Sequence, residues 1–173
     1  VRQPKQLGLG HAILCSEAVV GNEPFAVLLA DDFIVNGSEG NTKELVKAYA
    51  SSEKSQILYE TVKQEEVNKY GILKWDVTKK IVSGLVEKPD TDKAPSSEAS
   101  IGRYVLNPNI FDVLRDLKPG AGNEIQLADA INIQAKKNDV FGIKLTGKRF
   151  DCGTVSGFVD ATLHVAGKRG YLK

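Results

Sequence analysis

Apolar runs alternate with polar, glycine-bearing breaks along the whole 173-residue chain. Residues 25–30 are apolar throughout and stop at Asp31 and Asp32, the pattern of a strand buried on both faces. Residues 55–62, 99–106 and 140–145 read as further strands, and 70–77 with 81–87 as a pair joined by a turn around 78–80. Helical spacing separates them. Ile13, Leu14, Ala18 and Val19 share a face over 11–19, and Thr42 can cap a helix to Ser52 striped by Leu45, Val46 and Tyr49. Pro108 can open a helix to Leu117, another runs from Asn123 or Glu124 to Lys137, and 150–153 is a sharp turn before a last helix over 154–166. Loops fall at 36–41 and at the Pro/Ser/Asp-rich stretch 90–97, a candidate mobile lid. Strands divided by helices predict an α/β fold with a largely parallel sheet and one antiparallel hairpin.

Composition narrows the class. With 42% hydrophobic and 26% charged residues the chain is globular, and 173 residues suffice for one domain over 1–173 with an unstapled core. Lys and Arg number 23 against 22 Asp and Glu, a net charge of +1 that gives no basis for a nucleic-acid or membrane-surface partner. No apolar run nears the ~20 residues of a membrane span, and no signal-peptide pattern opens the chain. Cys15 and Cys152 are too few for a disulfide framework or a zinc site and read as reduced thiols, so the cytoplasm is the expected compartment. The chain starts at Val1 and contains no Met, which reads as a segment of a longer protein.

Candidate chemistry gathers where predicted strands end, the place where open α/β sheets bind ligands. Asp31 and Asp32 follow an apolar run and could hold Mg²⁺, although Asp31 could equally cap a turn. Asp151 follows a second strand-like stretch, so two distant carboxylates could share one ion. In Glu87-Lys88-Pro89 the proline drives Lys88 out of the helical region into an extended exit, setting an anion and a cation side by side. The cation suits a phosphate and the anion suits sugar hydroxyls; a surface ion pair is the plainer alternative. Gly8 and Gly10 before a helix could admit a base or phosphate, or only form a turn. His11 reads as a capping or packing residue, His164 as solvent-facing and Cys152 as structural.

Taken in order, VRQ (1–3), GLGHA (8–12), LLADD (28–32), YGI (70–72), VEKP (86–89), IGRYVL (101–106), PGAGNEIQLADAI (119–131) and FDCG (150–153) resemble the bacterial UTP–glucose-1-phosphate uridylyltransferase family. The resemblance implies a Rossmann-like, mixed, mostly parallel sheet of the nucleotidyltransferase type, incomplete at its N-terminal side. It implies Mg²⁺-dependent conversion of UTP and glucose 1-phosphate to UDP-glucose and pyrophosphate. By motif position, Gln3 and Gly8 would read uracil, Gly71 and Glu87 would contact glucose, and Lys88 its phosphate. Asp31 and Asp151 would hold Mg²⁺, with Lys88 and Asp31 as the catalytic pair. The family also implies a homo-oligomer that supplies sugar units for envelope polysaccharides. A dTTP-using sugar-1-phosphate nucleotidyltransferase and a non-catalytic sugar-nucleotide-binding fragment remain the alternatives. Nothing in the 173 residues matches the family's glycine-rich loop with its triphosphate-gripping Arg and Lys, so this chain alone is expected to transfer poorly.

Overall fold

In the computed structural model, residues 1–35, 40–79 and 81–172 are described; most of the predicted 36–41 loop and Lys80 of the hairpin turn lie outside them. The chain begins with two short helices, α1 (Leu9–Leu14) and α2 (Glu17–Val20), where one was expected. Ser16 parts them, its hydroxyl turned back onto the Ile13 carbonyl at 2.6 Å. There follow β1 (Phe25–Leu28), β2 (Asp32–Val35), α3 (Asn41–Ser52), β3 (Ser55–Thr61) and a 3₁₀ turn (Gln64–Lys69). Next come β4 (Gly71–Asp76), β5 (Ile81–Glu87), β6 (Glu98–Leu106), α4 (Ile110–Asp116) and α5 (Leu127–Lys136). The chain closes with β7 (Val140–Lys144), β8 (Lys148–Asp151) and α6 (Val155–Lys168).

The main sheet runs β5-β4-β6-β3-β7, with β1 also on β6, and β2 and β8 form a separate ribbon. The α/β class stands, but the mostly parallel expectation does not. Among the described pairings only β3 with β7 is parallel. Strands β1, β3, β4 and β7 do point the same way. Strand β6 runs against them and inserts between β3 and both β1 and β4, so would-be parallel neighbours meet an antiparallel strand instead. Strand–helix alternation reports direction, not adjacency.

Period-2 alternation sorts the strand residues onto two faces. Ile57, Leu73, Leu85 and Leu106 join Leu114 of α4 and Ile131 of α5 in one core; Leu58, Ile72, Ile101 and Val105 join Leu45 of α3 in the other. Strand β1 corrects the expectation of burial on both faces. Phe25 stacks on Phe111 at 4.9 Å and Val27 packs on the first core, whereas Ala26 and Leu28 are exposed. The 90–97 loop, expected as a candidate lid, is anchored to the sheet at its C-terminal half. Ser96 Oγ donates to the Leu73 carbonyl at 2.7 Å, Ala94 packs on the second core, and none of these residues lines the cleft described next.

Candidate active site

A cleft of about 370 Å³ opens where β1, β5 and β8 end. Beyond β1, Leu29 N–H still donates to Gly102 O at 2.9 Å, and the chain then turns into β2, which pairs with β8 in the register Asp32 to Asp151. This short ribbon unites carboxylates from distant parts of the sequence. A Cβ built on Gly153 would lie 3.1 Å from Asp151 Oδ1 and 3.4 Å from Asp31 Oδ2, so both carboxylates face one point. Asp32 is buried and committed elsewhere: Gly102 N–H donates to its Oδ2 at 2.8 Å, and Arg149 Nε donates to its Oδ1. Of the Asp31-Asp32 pair, therefore, Asp31 alone is open to a ligand. Two hard oxygen donors fit Mg²⁺, which is commonly held by one or two carboxylates together with substrate phosphates. Among the described residues no group of three or more His, Cys, Asp or Glu forms a self-sufficient metal cage.

The opposite wall carries Gly71, Glu87 and Lys88. Gly71 pairs with Glu87 across the β4–β5 ladder, and a Cβ at Gly71 would come within 3.0 Å of Glu87 Oε2. The glycine keeps room for the carboxylate and for a ligand beside it. Lys88 departs from the extended exit expected before proline. Its φ is +45°, left-handed, while its N–H donates to Tyr70 O at 3.0 Å. That hydrogen bond continues the ladder one residue past β5 and holds the turn. Successive side chains of an extended strand alternate in direction, yet Glu87 and Lys88 both line the cleft; the left-handed residue breaks the alternation. No ion pair joins Glu87 to Lys88 among the described residues.

The floor is polar and buried. Arg149, with its side chain 10% exposed, lies over the Tyr70 ring at 5.1 Å and also lines the cleft. Burial works against its charge, but the Tyr70 hydroxyl and Asp32 outweigh burial and raise its pKa above the ordinary value. Tyr104, hydrogen-bonded to Ser100 Oγ at 3.0 Å, has its pKa pushed up to about 12 by burial and stays a neutral phenol.

Gln3 and Gly8 do not line the cleft themselves; Gly8 lies against Glu124, which does, and Gln3 Nε2 donates to Gly8 O at 3.1 Å. Gly8 has φ +91°, and a Cβ there would lie 2.7 Å from Glu124 Cβ. Ile125 N–H donates to Leu7 O at 2.8 Å, and Gly10 N–H to Ile125 O at 2.9 Å. Asn123 closes a 3₁₀ turn (Ala121–Asn123), and these bonds hold residues 124–126 as an extended bridge, so α5 starts at Leu127 and not at the expected Asn123 or Glu124. His11 neither caps nor merely packs: its Nδ1 meets Gln3 Nε2 at 3.0 Å.

The nucleotidyl transferase family model matches residues 1–168. The chain belongs to the nucleotidyl transferase family. It is 45% identical over 166 residues to a UTP–glucose-1-phosphate uridylyltransferase of Pseudomonas aeruginosa, covering 93% of this chain and 59% of that protein. Among solved structures, UDP-glucose pyrophosphorylase complexed with UDP-glucose superposes with a TM-score of 0.90 at 42% identity, over 97% of this chain and 65% of that one. The UTP-bound enzyme of Acinetobacter baumannii gives 0.84 at 38% identity, over 96% and 59%. The chain thus spans about three fifths of the length of the curated relatives it matches.

Within this family member the expected residues Asp31, Gly71, Glu87, Lys88 and Asp151 share one cleft, and Gly8, with Gln3 bonded to it, lies against Glu124 of that cleft. Arg149, Tyr70 and Tyr104 have no role in the sequence expectations; Asp31 and Asp32 enter them as a possible pair, from which the resemblance alone singles out Asp31. Arg149 carries a usable signal: it precedes Asp151 by two residues, so on a strand both face the same side.

Proposed function

We propose that the cleft is the sugar-nucleotide site of a UTP–glucose-1-phosphate uridylyltransferase, with UTP and glucose 1-phosphate as substrates and UDP-glucose and pyrophosphate as products. The phosphate oxygen of the sugar attacks the α-phosphorus in line, the bond from that phosphorus to the bridging β-phosphate oxygen breaks, and pyrophosphate leaves. Lys88 neutralises the attacking phosphate. Glu87 accepts hydrogen bonds from hexose hydroxyls where Gly71 leaves space, and Gln3 and Gly8 address the uracil edge. Asp31 and Asp151 would hold Mg²⁺; when bound, the ion offsets the negative charge of the triphosphate. The observation that supports this reading best is the convergence of Asp31 and Asp151 at Gly153, in the cleft that Glu87 and Lys88 line.

Titration calorimetry with UDP-glucose, with and without Mg²⁺, tests it. Binding that requires Mg²⁺ and falls at least about tenfold in K88A supports the assignment; Mg²⁺-independent binding unaffected by K88A contradicts it. Equal affinity for UTP and dTTP would favour the thymidylyl alternative. A homo-oligomer is part of the proposal, supported by the exposed apolar residues Val155, Phe158, Val159 and Leu163 on α6.

A further inference from the structure

We infer that His11 is a positioning residue that, together with the Gly8 carbonyl, holds the Gln3 side-chain amide in the direction that selects uracil over cytosine. The inference rests on the reading above, in which Gln3 meets the base.

One fixed acceptor sets the amide's direction, and the imidazole anchors it there. The carbonyl oxygen of Gly8 can only accept, so the Gln3 atom 3.1 Å from it is the donor Nε2. The same Nε2 lies 3.0 Å from His11 Nδ1. A primary amide has two N–H bonds, and this geometry uses both, one for each partner. His11 Nδ1 must then carry no proton, which makes the ring the neutral Nε2–H tautomer. Cys15, the residue just past α1, sets its Sγ 3.8 Å from Nε2 and 3.9 Å from Nδ1 and backs the imidazole.

Gln3 Oε1 is what remains for a ligand; no hydrogen bond falls on it among the described residues. It is an acceptor and nothing else. Uracil offers N3–H to such a group, whereas cytosine offers an unprotonated N3, which would face Oε1 acceptor to acceptor. Turning the amide over to suit cytosine would set Oε1 against the Gly8 carbonyl, acceptor to acceptor, and would require the His11 proton to move from Nε2 to Nδ1. Gly8 and His11 thus act together as a lock, and His11 is its side-chain half. A site whose polar groups are already committed rejects a mismatched partner far more strongly than an apolar wall does.

The test measures dissociation constants for UDP-glucose and CDP-glucose on the whole chain by calorimetry. In H11F the amide loses one of its two anchors, and the preference for the uridine compound narrows about tenfold. H11N, whose Oδ1 can accept in place of Nδ1, restores most of the preference. Q3L loses the preference as well. If H11F, or H11A should the phenylalanine prevent folding, keeps the full preference while Q3L loses it, His11 has no positioning role and the reading of Gln3 stands. If Q3L also keeps the preference, Gln3 does not address the base, and both the inference and that part of the proposed function are wrong. A purely structural His11 would weaken both ligands equally, which also overturns the inference.

Discussion

Lys88 holds a backbone conformation that side-chain-bearing residues seldom adopt, at φ +45°, on the wall of the cleft. A left-handed residue of this type costs about 1–2 kcal/mol relative to an unstrained backbone. K88G should therefore raise unfolding stability by up to about 1 kcal/mol in chemical denaturation while weakening glucose 1-phosphate binding. Loss of stability in K88G would show that the turn is not strained. G71A sends its new methyl toward Glu87 Oε2 and Leu85 Cδ2, at 3.0 and 3.1 Å, so hexose binding should fall several-fold with little change in fold. Unchanged hexose affinity in G71A would show that Glu87 has room to move. At this scale much is legible in the sequence. Asp31, Glu87, Lys88 and Asp151 stand at strand ends, where chemistry is expected. The conformation of Lys88 is not legible, because Pro89 only disfavours the right-handed helical region and the hydrogen bond that sets the turn comes from Tyr70, just before β4.

Among the elements, the β2–β8 ribbon decides the site. Each strand has four residues, too few for a periodic signal, and their pairing joins the two ends of the chain. For that reason the expectation that Asp31 and Asp151 meet comes from their strand-end places and from the resemblance, while the ribbon that joins them is not legible. Asp32 and Arg149 bind the ribbon to β6 through Gly102, with both side chains 10% exposed. D32N leaves a buried guanidinium without its counter-charge and should cost about 3 kcal/mol of stability in urea unfolding; a cost below 1 kcal/mol would mean water reaches the pair. Behind the ribbon, α6 places His164 against Phe150 at 5.1 Å, half-buried where solvent exposure was expected, with its Nε2 buried and without a hydrogen-bond partner among the described residues. Burial, then Lys168 and Lys148, lower its pKa below the ordinary 6.5. The folded chain therefore binds fewer protons here than the unfolded chain. Its contribution to stability is present above about pH 6.5 and declines as pH falls toward the lowered value. Melting curves at pH 7.5 and 5.5 should show H164F losing less stability on acidification than wild type; equal losses would place the sensitivity elsewhere.

For the molecule as a whole, the two cores and the helix layers on each face follow from alternation and helical spacing, and that much of the fold is legible. The order of strands is not, because β6 is placed by pairings that no local pattern encodes. The surface of α6 is apolar well beyond the single residue it buries, Ala161, which supports association of copies through this helix. Sedimentation velocity of wild type and F158E should show the variant with the smaller mass, and identical masses would remove α6 from the interface. The central claim, however, concerns the cleft. Titrating UDP-glucose into wild type, D31N, D151N and the double variant at saturating Mg²⁺ addresses it most directly. If the two carboxylates share one ion, each single variant weakens binding strongly and the double variant is little worse than either single one. Independent, additive losses, or affinity untouched by either change, would contradict it.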